Sequence, residues 1–133
     1  MVSNNIRLET INNYKFLFIK TNDKLANIQS YIFTGPYHED INNIGINHLL
    51  EHVLVNSYEK CNENCYKYLN ELGLSYNAAT YNNLIYYYVS GMNDKINIMI
   101  NYIINITLNP IFNQKIINKE KEAVYNELIE NYD

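Results

Sequence analysis

The chain has 133 residues with a formal net charge of -4, a hydrophobic share of 47% and a charged share of 18%. That length suits a single domain over residues 1–133, and the balance suits a packed core rather than a disordered tail. The lysines are scattered and no basic stripe forms, so the electrostatic footprint of nucleic-acid binding is missing.

Asparagine makes up about a fifth of the chain, beside 14 tyrosines, a bias that follows from AT-rich codons and calls for no functional tract. Tyr86, Tyr87 and Tyr88 accordingly read as strand residues rather than a base-stacking platform. Met1 to Leu8 has neither an apolar signal core nor transit-peptide character. The apolar stretch Ile96 to Leu108 is broken by Asn97, Asn101 and Asn105 and is too short to span a bilayer. We therefore expect a soluble cytoplasmic protein with no membrane or nucleic-acid partner. Cys61 and Cys65 are spaced to share a helical face, where a disulfide would be poorly placed, and are expected as reduced thiols.

In chain order, Tyr14 to Lys20 reads as a strand, Thr21 to Lys24 as a turn, and Leu25 to Thr34 as a second strand with Ala26, Ile28, Ser30 and Ile32 on one face. Gly35-Pro36 opens a polar loop that includes His38 and runs to Asn43. Ile46, Leu49, Leu50, Val53 and Leu54 fall at helical spacing between Ile44 and Asn56. Asn62 is a candidate cap for a second helix ending at Gly73. Leu74 to Thr80 and Leu84 to Ser90 form an expected hairpin turning at Tyr81 to Asn83. Asn93 and Asp94 start a third helix with Ile96, Met99, Ile100 and Ile103 as its buried stripe, ended by Asn109-Pro110. A fourth helix runs from about Gln114 to Asn131. The order ββααββαα predicts an α+β fold, a two-layer sandwich of one sheet with helices packed on it.

Within the first helix lies His48-Leu49-Leu50-Glu51-His52. Histidines at i and i+4 sit one above the other, with Cβ atoms about 6 Å apart, so both imidazoles can reach one metal ion. Glu51 leans over the same face, where its carboxylate can take a proton from an attacking water and return it to a leaving amine. Two neutral ligands leave zinc under-coordinated, and a third protein ligand has to come from elsewhere. Satisfied surface histidines beside an ordinary glutamate are the bland alternative, but this five-residue pattern arises by chance in well under roughly one in a hundred chains of this length.

With these residues the sequence resembles the insulinase/pitrilysin family of zinc peptidases, whose signature is H-x-x-E-H. In that family a later helix carries E-x-x-x-x-x-x-E, with the last glutamate as third ligand. Glu120 to Glu127 matches, so the resemblance implies Glu127 as the ligand and Glu120 as its support; Glu122 and Glu130 are the rival candidates for the third ligand, their bland reading being a solvated acidic face. Gly45-Ile46-Asn47 resembles the lead-in to the first histidine, and Asn109-Pro110-Ile111-Phe112 resembles the turn before the glutamate helix. Leu72-Gly73 with Asn77-Ala78-Ala79-Thr80 resembles the segment whose edge strand pairs with substrate backbone, which implies a substrate-binding role for Asn77 and Ala78. Val55 stands where the family often has an aromatic, and Ile85 where threonine is commoner.

The resemblance implies a zinc-dependent endopeptidase acting on peptides or unfolded proteins, with one zinc ion held by His48, His52 and Glu127 and Glu51 as base. Family catalytic domains continue well past the position of Glu127. The alternative expectation is therefore an inactive, truncated relative that binds zinc and serves as an assembly module with another chain supplying the missing domains.

Overall fold

A computed structural model describes residues 5–62 and 64–130. The first four residues of the Met1–Leu8 segment, and Asn131 as the expected end of the last helix, lie outside the described residues.

The chain opens with a strand that the periodicity did not reveal, β1 (Ile6–Ile11), paired antiparallel with β2 (Tyr14–Ile19). Asn12 and Asn13 connect them with φ of 50° and 68°. A two-residue hairpin loop needs positive φ at both positions to match strand twist, and asparagine tolerates it better than most residues. Next come β3 (Leu25–Ile32), α1 (Ile46–Val55), α2 (Cys65–Glu71), β4 (Ser75–Tyr81), β5 (Leu84–Met92), α3 (Ile96–Leu108) and α4 (Gln114–Glu130).

The fold is α+β, as expected, but the single sheet is corrected to two among the described residues. One is the β1–β2 pair and the other has the order β3-β5-β4. Thr21 to Lys24 does not close a hairpin between β2 and β3. Instead β2 is used by β1, and β3 pairs along its whole length with β5, from Leu25↔Met92 to Ile32↔Ile85. The alternation in β3 explains the choice, because Ala26, Ile28 and Ile32 pack against the core when it lies beside β5.

The core sits between this second sheet and the helices. Ile85, Tyr87 and Val89 point inward from β5, and Met99, Tyr102, Ile103 and Ile106 from α3, with Leu54, Leu69 and Leu74 completing it. The expected α3 stripe is shifted in phase: Met99 and Ile103 are buried, but Ile96 is 38% exposed and Tyr102 takes an inner place. A short 3-10 turn over Asn93–Lys95 precedes the helix, and packing against β3 and β5 selects the buried face.

The C-terminal end of α2 follows the expectation. Gly73 has φ 68°, its N–H donates to Asn70 O, and Leu74 N–H donates to Leu69 O. This pair of bonds satisfies the last carbonyls of the helix, and the left-handed residue between them suits glycine. At the other end the cap is Asn64, whose side chain accepts from Lys67 N, and not Asn62.

Cys61 and Cys65 are joined in a disulfide with Cα atoms 4.6 Å apart, which corrects the expectation of free thiols. They do not share a helix. Cys61 ends a 3-10 turn, Asn62 turns left-handed with φ 46°, and Cys65 begins α2. The break frees the two side chains from the fixed directions that a continuous helix imposes and lets them turn toward each other, as a disulfide requires. Among the described residues no helix is long and apolar enough to cross a membrane.

Candidate metal centre

Helix α1 carries the two histidines and is locked at its start by a distant carboxylate. Gly45, with φ 85°, leaves the first turn without a side-chain cap. Glu39 fills that role from the preceding loop, accepting from Gly45 N at 2.7 Å, Asn47 N at 2.9 Å and Asn47 Nδ2 at 2.9 Å. Burial raises the Glu39 pKa, but the Asn47 and Gly45 N–H groups outweigh it and hold the carboxyl below its usual value. An ionised carboxylate at a helix N-terminus is stabilised by the unpaired N–H groups there. Thr34 Oγ1 adds a bond to Asn47 Oδ1 at 3.0 Å. At the other end of α1, Tyr102 donates to Val55 O at 3.1 Å and ties the helix to α3.

Helix α4 packs along α1. Ile116, Glu120 and Val124, spaced four apart, are its buried residues, and Glu127 continues the same stripe toward the histidines. His48 Nε2 lies 3.5 Å from Glu127 Oε2, and His52 Nε2 lies 3.6 Å from the same oxygen. One ligand atom from each of His48, His52 and Glu127 falls within 4.8 Å of the others. Tetrahedral ligands at about 2.0–2.1 Å from zinc stand about 3.3 Å apart, so the two measured edges fit that geometry closely.

Glu120 lies beside His52. Its side chain is 8% exposed, and its Oε2 accepts from His52 Nδ1 at 3.3 Å. An ionised carboxylate can only accept, so Nδ1 carries a proton, and in the neutral ring the Nε2 lone pair faces Glu127. The His52 bond first, and Lys119 nearby, hold the Glu120 carboxyl below its usual value against the opposing effect of burial. For His52 the Glu120 bond, with the charges of Glu127, Glu51 and Glu120, raises the pKa above 6.5 against the lowering effect of burial.

Glu51 lies on the same helix as the histidines and accepts from Thr80 Oγ1 at 2.5 Å. Thr80 is the last residue of the Asn77-to-Thr80 segment, so β4 directly orients the candidate base. On β5, the Tyr87 hydroxyl is buried with no hydrogen-bond partner among the described residues. Burial, then the charge of Glu51, pushes its ionisation far up, so it stays neutral. Asn77 and Ala78 lie on β4, an edge strand opposite Tyr88 and Tyr87 of β5.

The remaining candidates stay apart from this cluster. His38 is exposed in a 3-10 turn, and Glu122 and Glu130 face solvent. Three contributors escaped the sequence reading: Glu39, Thr80 and Asn56, whose Nδ2 donates to Glu120 Oε1 at 3.2 Å. Asn56 carried a signal, since it follows His52 by one helical turn and so projects from the same face.

The description of the insulinase family, peptidase family M16, matches residues 15–133. Comparison with curated proteins gives no match. Among solved structures, the chain is similar to a protease from Helicobacter pylori, with 17% identity and a TM-score of 0.81 over 92% of this chain. It spans 30% of the length of that protease.

Proposed function

The chain belongs to the insulinase family of peptidases, and from that premise we propose that it is the metal-bearing part of a zinc-dependent endopeptidase. The observation that carries this reading is the meeting of His48, His52 and Glu127, drawn from helices far apart in the chain, at ligand spacing. One zinc ion bound there would polarise the scissile carbonyl and acidify the attacking water. Glu51, aimed by Thr80, takes the proton of that water and delivers it to the leaving amine. Glu120 keeps His52 in the tautomer that presents Nε2 to the metal. The backbone around Asn77 and Ala78, on the outer side of β4, takes an extended peptide or unfolded segment as an added strand.

Purified chain should carry one zinc per molecule and hydrolyse denatured peptides, lose that activity to a chelator, and regain it with zinc. A folded chain that takes up no zinc would overturn the reading.

Zinc affinity should also depend on pH in a direction set by His52. Its raised pKa means that the metal-free site holds a proton at pH values where an ordinary histidine has lost it. Apparent affinity should therefore be flat above that raised value and fall as pH drops through it, by up to about tenfold per unit for each ligand being protonated. Competition titrations across that range check this. A decline that starts only near the carboxylate range would show that His52 does not control binding.

A second reading, a zinc-binding assembly module that needs another chain, is favoured by one observation. The cross-strand pairs Ile6↔Ile19 and Leu8↔Leu17 line one face of the β1–β2 sheet, and these four side chains are 57%, 61%, 65% and 60% exposed. Such a face suits an interface. Peptide hydrolysis by the monomeric chain would count against this reading.

A further inference from the structure

Glu120 has two carboxylate oxygens, and the candidate centre uses one of them. Oε2 accepts from His52, while Oε1 accepts from Asn56 Nδ2 at 3.2 Å and has Lys119 Nζ at 3.6 Å. The same Asn56 side chain accepts from the backbone N–H of Cys65 at 3.3 Å through Oδ1. Only this orientation of the amide pairs both ends, because reversing it would set the NH2 against a backbone donor and the oxygen against a carboxylate.

The location of Asn56 gives these two bonds their effect. It is the residue that closes α1, one turn after His52. Cys65 is fully buried, begins α2 and is bonded to Cys61. Its N–H is one of the donors that the start of a helix leaves without an internal partner. One amide thus links the end of α1, the disulfide-closed start of α2, and the carboxylate of α4 that holds a ligand histidine. Leaving Glu120 Oε1 without Asn56 would free this nearly buried carboxylate to rotate, and the hydrogen bond to His52 would loosen with it.

We infer that Asn56 is a positioning residue of the metal centre, acting on His52 through Glu120. The inference rests on the zinc reading above. It differs from a plain helix-end role in one measurable respect: the effect of Asn56 on metal affinity must pass through Glu120.

The test is a double-mutant cycle on zinc affinity, read by competition with a chromophoric chelator, in the full chain and in its Asn56→Ala, Glu120→Ala and doubly substituted forms. Glu120, which bonds the ligand histidine directly, is the kind of partner worth 10- to 100-fold in affinity; Asn56 stands one step further out, so Asn56→Ala is expected to weaken zinc by about three- to tenfold when Glu120 is present. With Glu120 already removed, the same change is expected to alter affinity by less than about twofold, since interacting residues are non-additive. Equal losses in both backgrounds would overturn the inference, and so would an undiminished affinity of the single variant. Should Asn56→Ala fail to fold, the near-isosteric Asn56→Leu takes its place, which removes the donor to Glu120 without adding a charge beside it; the loss of the Cys65 N–H acceptor is common to both backgrounds and cancels in the cycle. Absence of zinc binding by the unsubstituted chain would sink the zinc reading itself, and this inference with it.

Discussion

Replacing Glu51 by glutamine is expected to leave zinc binding intact and to cut peptide hydrolysis by about 10²- to 10⁴-fold, the usual worth of a positioned general base. Glu51 sits on α1 between the two histidines and is not within the ligand cluster of His48, His52 and Glu127. Its carboxylate accepts from Thr80, and a glutamine oxygen can accept the same bond. The substitution therefore preserves shape and local hydrogen bonding while removing the group's ability to take a proton. Zinc stoichiometry and turnover of a denatured peptide, measured on one preparation of each protein, check both halves of the expectation. Full turnover by the variant would exclude Glu51 as the base. Loss of zinc would mean that the carboxylate supports the metal instead.

The second large effect concerns Glu127, the candidate ligand from the distant helix. Glu127→Gln should weaken zinc by more than roughly 100-fold, beyond the 10- to 100-fold expected for the supporting Glu120→Gln. Glu122→Gln, on the exposed side of the same helix, should change affinity by less than about twofold. The physical reason is position around the helix. Glu120 and Glu127 are nearly two turns apart and share a face, whereas Glu122 is rotated by roughly 200° from Glu120. Glu127 is also the only one of the three whose oxygen lies between both histidines, 3.5 and 3.6 Å from their Nε2 atoms. Competition titrations on the three variants give the ranking. A greater loss for Glu122 than for Glu127 would reassign the ligand.

These expectations draw on parts of the protein that were legible to different degrees. The helix over Ile46–Val55 could be read from its apolar spacing, and the relation of His48, Glu51 and His52 followed from helical geometry within a single turn. Gly73 was equally legible, because a left-handed residue at a helix end favours glycine. The hairpin of β4 and β5 followed from two short apolar runs around Asn82 and Asn83. By contrast β1 was missed: Ile6 and Leu8 alternate with Arg7 and Glu9, but the run breaks at Thr10 after four residues and both faces of its sheet are largely exposed. No burial periodicity marks such a strand.

Cys61 and Cys65 illustrate a different limit. Their spacing was interpreted as a continuous helix, but a left-handed Asn62 breaks the helix and changes which atoms meet. Asn56 was marked only by its place one turn after His52, and Thr80 only as the end of a family-like segment, until the packing of α1 against α4 and β4 brought them to Glu120 and Glu51.

What the sequence determined by itself was the local chemistry around His48, Glu51 and His52: two imidazoles and a carboxylate on one helical face, a relation enforced by backbone geometry over five residues. The family resemblance added Glu127 as an expectation. Only the tertiary structure decided that Glu127 reaches those histidines, that Glu120 orients His52, and that β2 joins β1 rather than β3. Contacts of that range depend on the sum of many weak packing interactions between α1, α4 and the sheet, and no spacing along the chain encodes that sum.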